Sequence, residues 1–299
     1  MTRKPVQLKG ILAAVTTPFS ADGSTVDEEA IGAQTERLIA AGIHGLVPCG
    51  SSGEFFSLSP DEYRRVMEAY VQAAAGRVPV VVGIGAMTTA EAIDLAQHAE
   101  RVGADAIMVV APFYEPLSLP ELTTFLTDLS AAINVSIIYY NLPGATGIKL
   151  DADQIAQLGR IDGLDYLKDT SGDAVTLTDL IVNRSDSITA FDGWDTLTFM
   201  GLATGAQASV WGAAGLVPEQ AVALYEALAV DADLRRGREL WRDLWGLSDA
   251  LESVSNYAAG LKAGLEILGH PVGPPRAPIQ PLSAEDRARI EAALASLRA

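Results

Sequence analysis

Short apolar runs alternate with amphipathic stretches along the first two thirds of the chain. The runs at 10–16, 45–49, 79–84, 106–111, 136–141, 164–168, 188–191 and 206–211 are rich in Val, Ile and Ala and lack clean polar alternation. That pattern predicts parallel strands buried on both faces. Helix starts lie between them. Asp27-Glu-Glu29 opens one, and Ser59-Pro-Asp-Glu62 sets a cap, a proline and acids at another. Thr88-Thr-Ala-Glu91 and Ser118-Leu-Pro-Glu121 carry capping-box spacing. Strand starts recur about every 20–35 residues, the period of βα units. Eight such units predict an α/β protein, a closed (β/α)8 TIM barrel, with a doubly wound sheet as the alternative. After residue 217 the strand signal stops. Residues 218–268 and 283–299 read as helices on either side of the proline-rich 271–281. The expected organisation is therefore a barrel over 1–217 that carries the active site, its last helix running into the tail. The C-terminal helices of 218–299 then form an extension packed on the barrel.

Composition narrows the chemistry. Of 299 residues, 49% are hydrophobic and 20% charged, enough for one large core, and no low-complexity linker divides them. A net charge of −17 argues against nucleic acid, which needs clustered Lys and Arg, but not against a small anionic substrate held by local donors. The single Cys49 rules out internal disulfides, and His44, His98 and His270 have no zinc-ligand spacing, so no metal and no cofactor is expected. Arg3 and Lys4 precede an apolar run that breaks at Pro18, a poor secretory signal, and no run of about 18 apolar residues suggests a span. The expectation is a cytoplasmic protein whose partner is a small molecule, with neither membrane nor nucleic acid involved.

In a (β/α)8 barrel the chemistry sits at the carboxyl ends of the strands. Those ends read Thr16-Thr17, Gly50-Ser-Ser-Gly-Glu54, Phe113-Tyr114, Tyr139-Tyr-Asn141, Lys168-Asp-Thr170, Gly193-Trp-Asp195 and Ser209. The chain has only five lysines, Lys4, Lys9, Lys149, Lys168 and Lys262, and Lys168 alone lies at a predicted strand end. Desolvation there disfavours the ammonium form and frees an amine that can condense with a ketone. The plainer reading pairs Lys168 with Asp169 or Asp173. Ser51 and Ser52 between glycines make either a simple turn or a nest for a carboxylate. Tyr140 is either a barrel-layer aromatic or a proton relay, and Tyr114 either packs or takes part in the chemistry. Asp195 suits an N-cap as well as a ligand. Glu54 receives no role, Gly83-Ile-Gly85 is too short for a phosphate loop, and Cys49 reads as a small buried hydrophobe.

Six strings in this order resemble the dihydrodipicolinate synthase/N-acetylneuraminate lyase family of class I Schiff-base aldolases. They are Thr16-Thr-Pro-Phe19, Gly50-Ser-Ser-Gly-Glu54, Gly83-Ile-Gly-Ala-Met-Thr-Thr-Ala-Glu-Ala92, Ala111-Pro-Phe-Tyr114, Tyr140-Asn-Leu-Pro143 and Lys168-Asp-Thr-Ser-Gly-Asp173. The resemblance implies that Lys168 forms an imine with pyruvate or another 2-keto acid. It implies that Ser51 and Ser52 hold the carboxylate, that Tyr140 shuttles protons, and that Thr170 lies near substrate. It also implies a homotetramer, a dimer of dimers in which Tyr114 crosses the tight dimer interface. One departure bears on substrate. Synthases of the family carry an arginine two residues after the proline of Tyr-Asn-x-Pro, where this chain has Ala145. Asp192-Gly-Trp-Asp195 instead is similar to the segment whose last aspartate holds substrate hydroxyls in sialic acid lyases, although the acid that follows there is Thr196 here. The expected activity is pyruvate-dependent aldol cleavage of a 2-keto-3-deoxy sugar acid or similar hydroxylated 2-keto acid. Gly193, Asp195 and Ser209 join the expected substrate site. Dihydrodipicolinate synthase, a dehydratase or hydrolase sharing the imine, and a non-catalytic keto-acid-binding barrel are the alternatives.

Overall fold

The computed structural model describes residues 6–297, which leaves Arg3 and Lys4 outside the described residues. Eight parallel strands follow one another: β1 (Gly10–Ala14), β2 (Gly45–Val47), β3 (Val81–Gly85), β4 (Ala106–Val110), β5 (Ser136–Asn141), β6 (Leu164–Asp169), β7 (Thr189–Asp192) and β8 (Ala208–Trp211). Their order around the sheet is β2-β1-β8-β7-β6-β5-β4-β3. The cylinder closes between β2 and β3 through a single Leu46–Val80 bridge, supported by Leu46 N–H to the Pro79 carbonyl and Gly83 N–H to the Pro48 carbonyl. This is a (β/α)8 TIM barrel with additional C-terminal helices.

The helices that cover it are α1 (Glu28–Ala40), α2 (Pro60–Ala74), α3 (Thr89–Val102), α4 (Leu119–Ala131), the short α5 (Pro143–Thr146), α6 (Ala152–Leu158), α7 (Ala174–Asn183), α8 (Thr198–Thr204) and α9 (Pro218–Tyr225). Their starts follow the local chemistry. Asp27 caps α1 by accepting from Ala30 N, and Ser59 and Glu62 close a reciprocal capping box on α2. The tail consists of α10 (Leu234–Ser253), α11 (Tyr257–Ile267) and α12 (Ala284–Ser296). None of the described helices is long and apolar enough to cross a membrane.

Two cores result from the two-residue side-chain period of a strand. Leu12, Ala14, Met108, Ile138, Tyr140, Tyr166, Phe191 and Val210 cluster inside the barrel. Their neighbours Ile11, Ala13, Ile107, Ile137, Tyr139, Leu167, Ala190 and Trp211 face the helices. Tyr166 stacks on Phe191 and donates to the Val6 carbonyl, plugging the amino end of the barrel. What stays open is the carboxyl end.

Candidate active site

The same alternation decides which strand-end groups meet. On β5 and β6, Tyr140 and Lys168 are Cα partners and share the inward face with Tyr166, while Tyr139 and Leu167 face out. Lys168 is buried, with Nζ 4.2 Å from the centre of the Tyr140 ring. The carboxylates that could have neutralised it have other partners. Asp169 accepts from Asn141 Nδ2 at 2.7 Å and Ser171 Oγ at 2.8 Å, and Asp173 caps α7 through Val175 and Thr176. Burial raises the Asp169 carboxyl, and the hydrogen bonds from Asn141 and Ser171 oppose it.

Lys168 opens into a cavity of about 310 Å³, lined also by Ser51, Ser52, Tyr140, Thr170, Gly193 and Asp195. The serines arrive on the tight turn after β2, where Gly53 N–H returns to the Gly50 carbonyl and Glu54 N–H to the Ser51 carbonyl. Thr170 donates from its hydroxyl to the Gly193 carbonyl at 3.0 Å, joining the ends of β6 and β7. Gly193 has to be glycine because a Cβ there would overlap Lys168 Cε and Thr170 Oγ1.

Asp195 does not cap a helix. α8 begins after Leu197, with no side-chain cap, and the Asp195 carboxylate accepts from the Tyr257 hydroxyl at 2.6 Å. Burial pushes the Asp195 carboxyl up to about 7. The Tyr257 hydrogen bond opposes this, the nearby negative charge of Glu252 adds to it, and the Lys168 ammonium pulls it back. Glu252, at the end of α10, accepts from Thr196 N at 3.0 Å and Thr196 Oγ1 at 2.9 Å, and burial raises it too. Tyr257 is raised well above the ordinary phenol range, by burial first and then by Asp195. Glu252 and Tyr257 both line the cavity, and the sequence reading named neither. The tail therefore supplies one wall of the site.

Two expected residues do not line it. Ser209 is fully buried, with its hydroxyl donating to the Asp192 carbonyl at 3.3 Å; its neighbour Val210 occupies the inward position and lines the cavity. Parity along β8 accounts for this. Tyr114 is 82% exposed and lines a separate open groove with Met87, Phe113 and Leu117. Cys49 is buried, which raises its thiol, and among the described residues no cluster of His, Cys, Asp and Glu could hold a metal ion.

A buried amine under a tyrosine, with a hydroxyl-lined turn on one side and an acid pair on the other, is an arrangement able to support carbonyl chemistry. Residues 7–297 match the dihydrodipicolinate synthetase family. The chain belongs to that family. It is 36% identical to an uncharacterized DapA-like lyase of Halobacterium salinarum over 293 residues, 98% of this chain and 95% of that one. It is also 36% identical to the 4-hydroxy-tetrahydrodipicolinate synthase of Methanopyrus kandleri over 275 residues, 92% of this chain and 91% of that one. Among solved structures of the family, the pyruvate complex of the chloride-inhibited dihydrodipicolinate synthase from Acinetobacter baumannii superposes with a TM-score of 0.92. It is 27% identical, over 98% of this chain and 99% of that one. A lyase of this family is thus the established frame, and the substrate is what the cavity has to decide.

Proposed function

We propose that this chain is a pyruvate-dependent Schiff-base aldolase that cleaves a 2-keto-3-deoxy sugar acid or a similar hydroxylated 2-keto acid. The observation that carries the reading is the charge of the cavity wall. Among the described residues, the charged side chains lining it apart from Lys168 are Asp195 and Glu252, both acids. An aldehyde bearing its own carboxylate would find no cation there besides Lys168, whereas a polyol tail would find acceptors. Position 145 carries a methyl group, which cannot replace a guanidinium fork.

In this reading the Lys168 amine adds to the ketone carbon, and loss of water gives the protonated imine. Ser51 and Ser52 hold the carboxylate of the keto acid beside it. The imine then accepts the electron pair of the C3–C4 bond as that bond breaks. Tyr140, having given its proton to the water lost as the imine formed, takes the proton of the C4 hydroxyl as a phenolate, and the aldehyde departs. Protonation of the enamine and hydrolysis return the Lys168 amine and release pyruvate. Asp195, held by Tyr257, accepts from a hydroxyl of the tail. The exposed Tyr114 is assigned to contact with a second copy in a homotetramer.

Borohydride trapping with pyruvate should label Lys168 and no other lysine, and Lys168→Ala should abolish both labelling and turnover. Labelling of a different lysine would end the proposal. The second reading, 4-hydroxy-tetrahydrodipicolinate synthase, is favoured by the name of a relative 36% identical to this chain. Comparing kcat/KM for a panel of 2-keto-3-deoxy acids with that for pyruvate plus aspartate semialdehyde separates the two. We expect the sugar acids to win; efficient semialdehyde turnover without cleavage of any sugar acid restores the synthase.

A further inference from the structure

Behind the serine turn lies a buried charged cluster that the chemistry above does not use. Glu54 is fully buried and holds the left-handed backbone conformation at φ 53°, while Cys49, at the other end of the same turn, sits at φ 59°. Neither is glycine, so the surroundings must hold the turn in this shape. The restraint reaches it from the tail. Lys262 on α11 places Nζ 2.7 Å from Glu54 Oε1, and Arg276 N–H donates to Glu54 Oε2 at 2.8 Å. Lys262 also donates to the Pro274 carbonyl at 3.0 Å.

The cluster extends beyond the pair. The Arg276 guanidinium grips Glu62 at 2.9 Å through both terminal nitrogens and donates to the carbonyls of Gly23 and Ser57. Phe19, from the loop after β1, lies between the two cations, with its ring centre 4.0 Å from Lys262 Nζ and 4.1 Å from Arg276 Cζ. The turn is also tied to the loop after β1 by Thr17, whose hydroxyl donates to the Gly53 carbonyl at 2.7 Å. One cluster therefore fixes the loops after β1 and β2 to the tail.

We propose that Glu54 and Lys262 are positioning residues: their buried ion pair sets the Ser51-Ser52 turn at the height from which it receives the carboxylate of the keto acid. The inference rests on the reading that those serines hold that carboxylate. A buried ion pair adds little stability over a neutral pair of similar shape. Geometry is what it adds, because a misplacement of about 1 Å at a binding group can cost up to about 100-fold. Burial lowers the Lys262 amine to about 8 even beside Glu54, so this cation is held at the expense of its own solvation.

The test reads the pyruvate concentration that half-saturates borohydride labelling of Lys168. Glu54→Ala strands a buried cation and can unfold the chain, so the working variant is E54Q/K262M, which removes both charges together. Its carboxamide oxygen can still accept from Arg276 N–H. We expect its half-saturating pyruvate concentration to rise between about 10- and 100-fold, with maximal labelling and the cooperative melt retained. S51A/S52A should raise it as well, and combining all four changes should give no more than the larger of the two effects. If S51A/S52A raises the value and E54Q/K262M leaves it unchanged, the pair has no positioning role, and the serine reading stands. An unchanged value in S51A/S52A removes the serine reading and the positioning role with it. Fully additive effects show the pair acting by another route and overturn the proposal.

Discussion

Two buried carboxylates, Asp195 and Glu54, are each reached from the C-terminal helices, and they are treated in opposite ways. Glu54 meets a lysine ammonium and a backbone N–H. Asp195 meets a phenol, with a second acid, Glu252, close enough to raise it further. The first has its charge neutralised in place and faces away from the cavity. The second lines the cavity beside Lys168, held by a neutral donor, where a ligand can reach it. In this pair, the acid neutralised by a cation serves as a joint, and the one that lines the cavity can serve as a binding group.

The contrast breaks most visibly in stability. Glu54→Ala leaves the Lys262 ammonium buried without its partner, which should cost about 3–5 kcal/mol in urea unfolding. A loss below about 1 kcal/mol would put Glu54 in the same class as Asp195. Asp195→Asn should instead raise KM for the hydroxylated substrate by about tenfold or more while pyruvate still labels Lys168. Its effect on stability should depend on pH. The carboxyl rises on folding from 3.8 to about 7, so proton uptake stabilises the fold. That contribution is complete below the unfolded value and is lost as pH climbs through about 7. The wild type should therefore weaken relative to Asp195→Asn from acid toward neutral pH, with the widest gap above 7; parallel melting curves across that window would contradict it. Tyr257→Phe is the mildest probe. Without the phenol donor Asp195 should titrate higher, moving the KM inflection toward alkaline pH and changing KM by about threefold.

Sequence alone showed the barrel because eight apolar runs at one spacing admit few folds, and it pointed to Lys168 and Tyr140, which share the cavity, because both stand at strand ends. It misjudged Ser209, also at a strand end, because position along a strand does not reveal which face a residue occupies. Only the pairing of Asp192 with Ser209 across β7 and β8 places that hydroxyl outside the cavity. Tyr257 and Glu252 carried no local signal, since their relation to Asp195 exists only once α10 and α11 fold over the barrel mouth. Lys262 could have been suspected. A lysine within Tyr-Ala-Ala-Gly-Leu-Lys-Ala-Gly-Leu is flanked by small and apolar residues on both sides, and a cation so placed needs an anion.

Ladders of three to five paired residues join most neighbouring strands; β7 and β8 share one pair, and at the β2–β3 seam a single bridge closes the cylinder. At that seam the two backbones touch so closely that a Cβ on Gly83 would collide with the Cys49 carbonyl and Gly50 N. Prising it apart would turn a surface with no edges into a sheet with two, each offering unpaired N–H and C=O groups to any other open molecule. A bulkier residue at Gly83 therefore threatens solubility as well as the serine turn that begins at Gly50, and fibrous or amorphous aggregates on warming are part of the damage to expect from it.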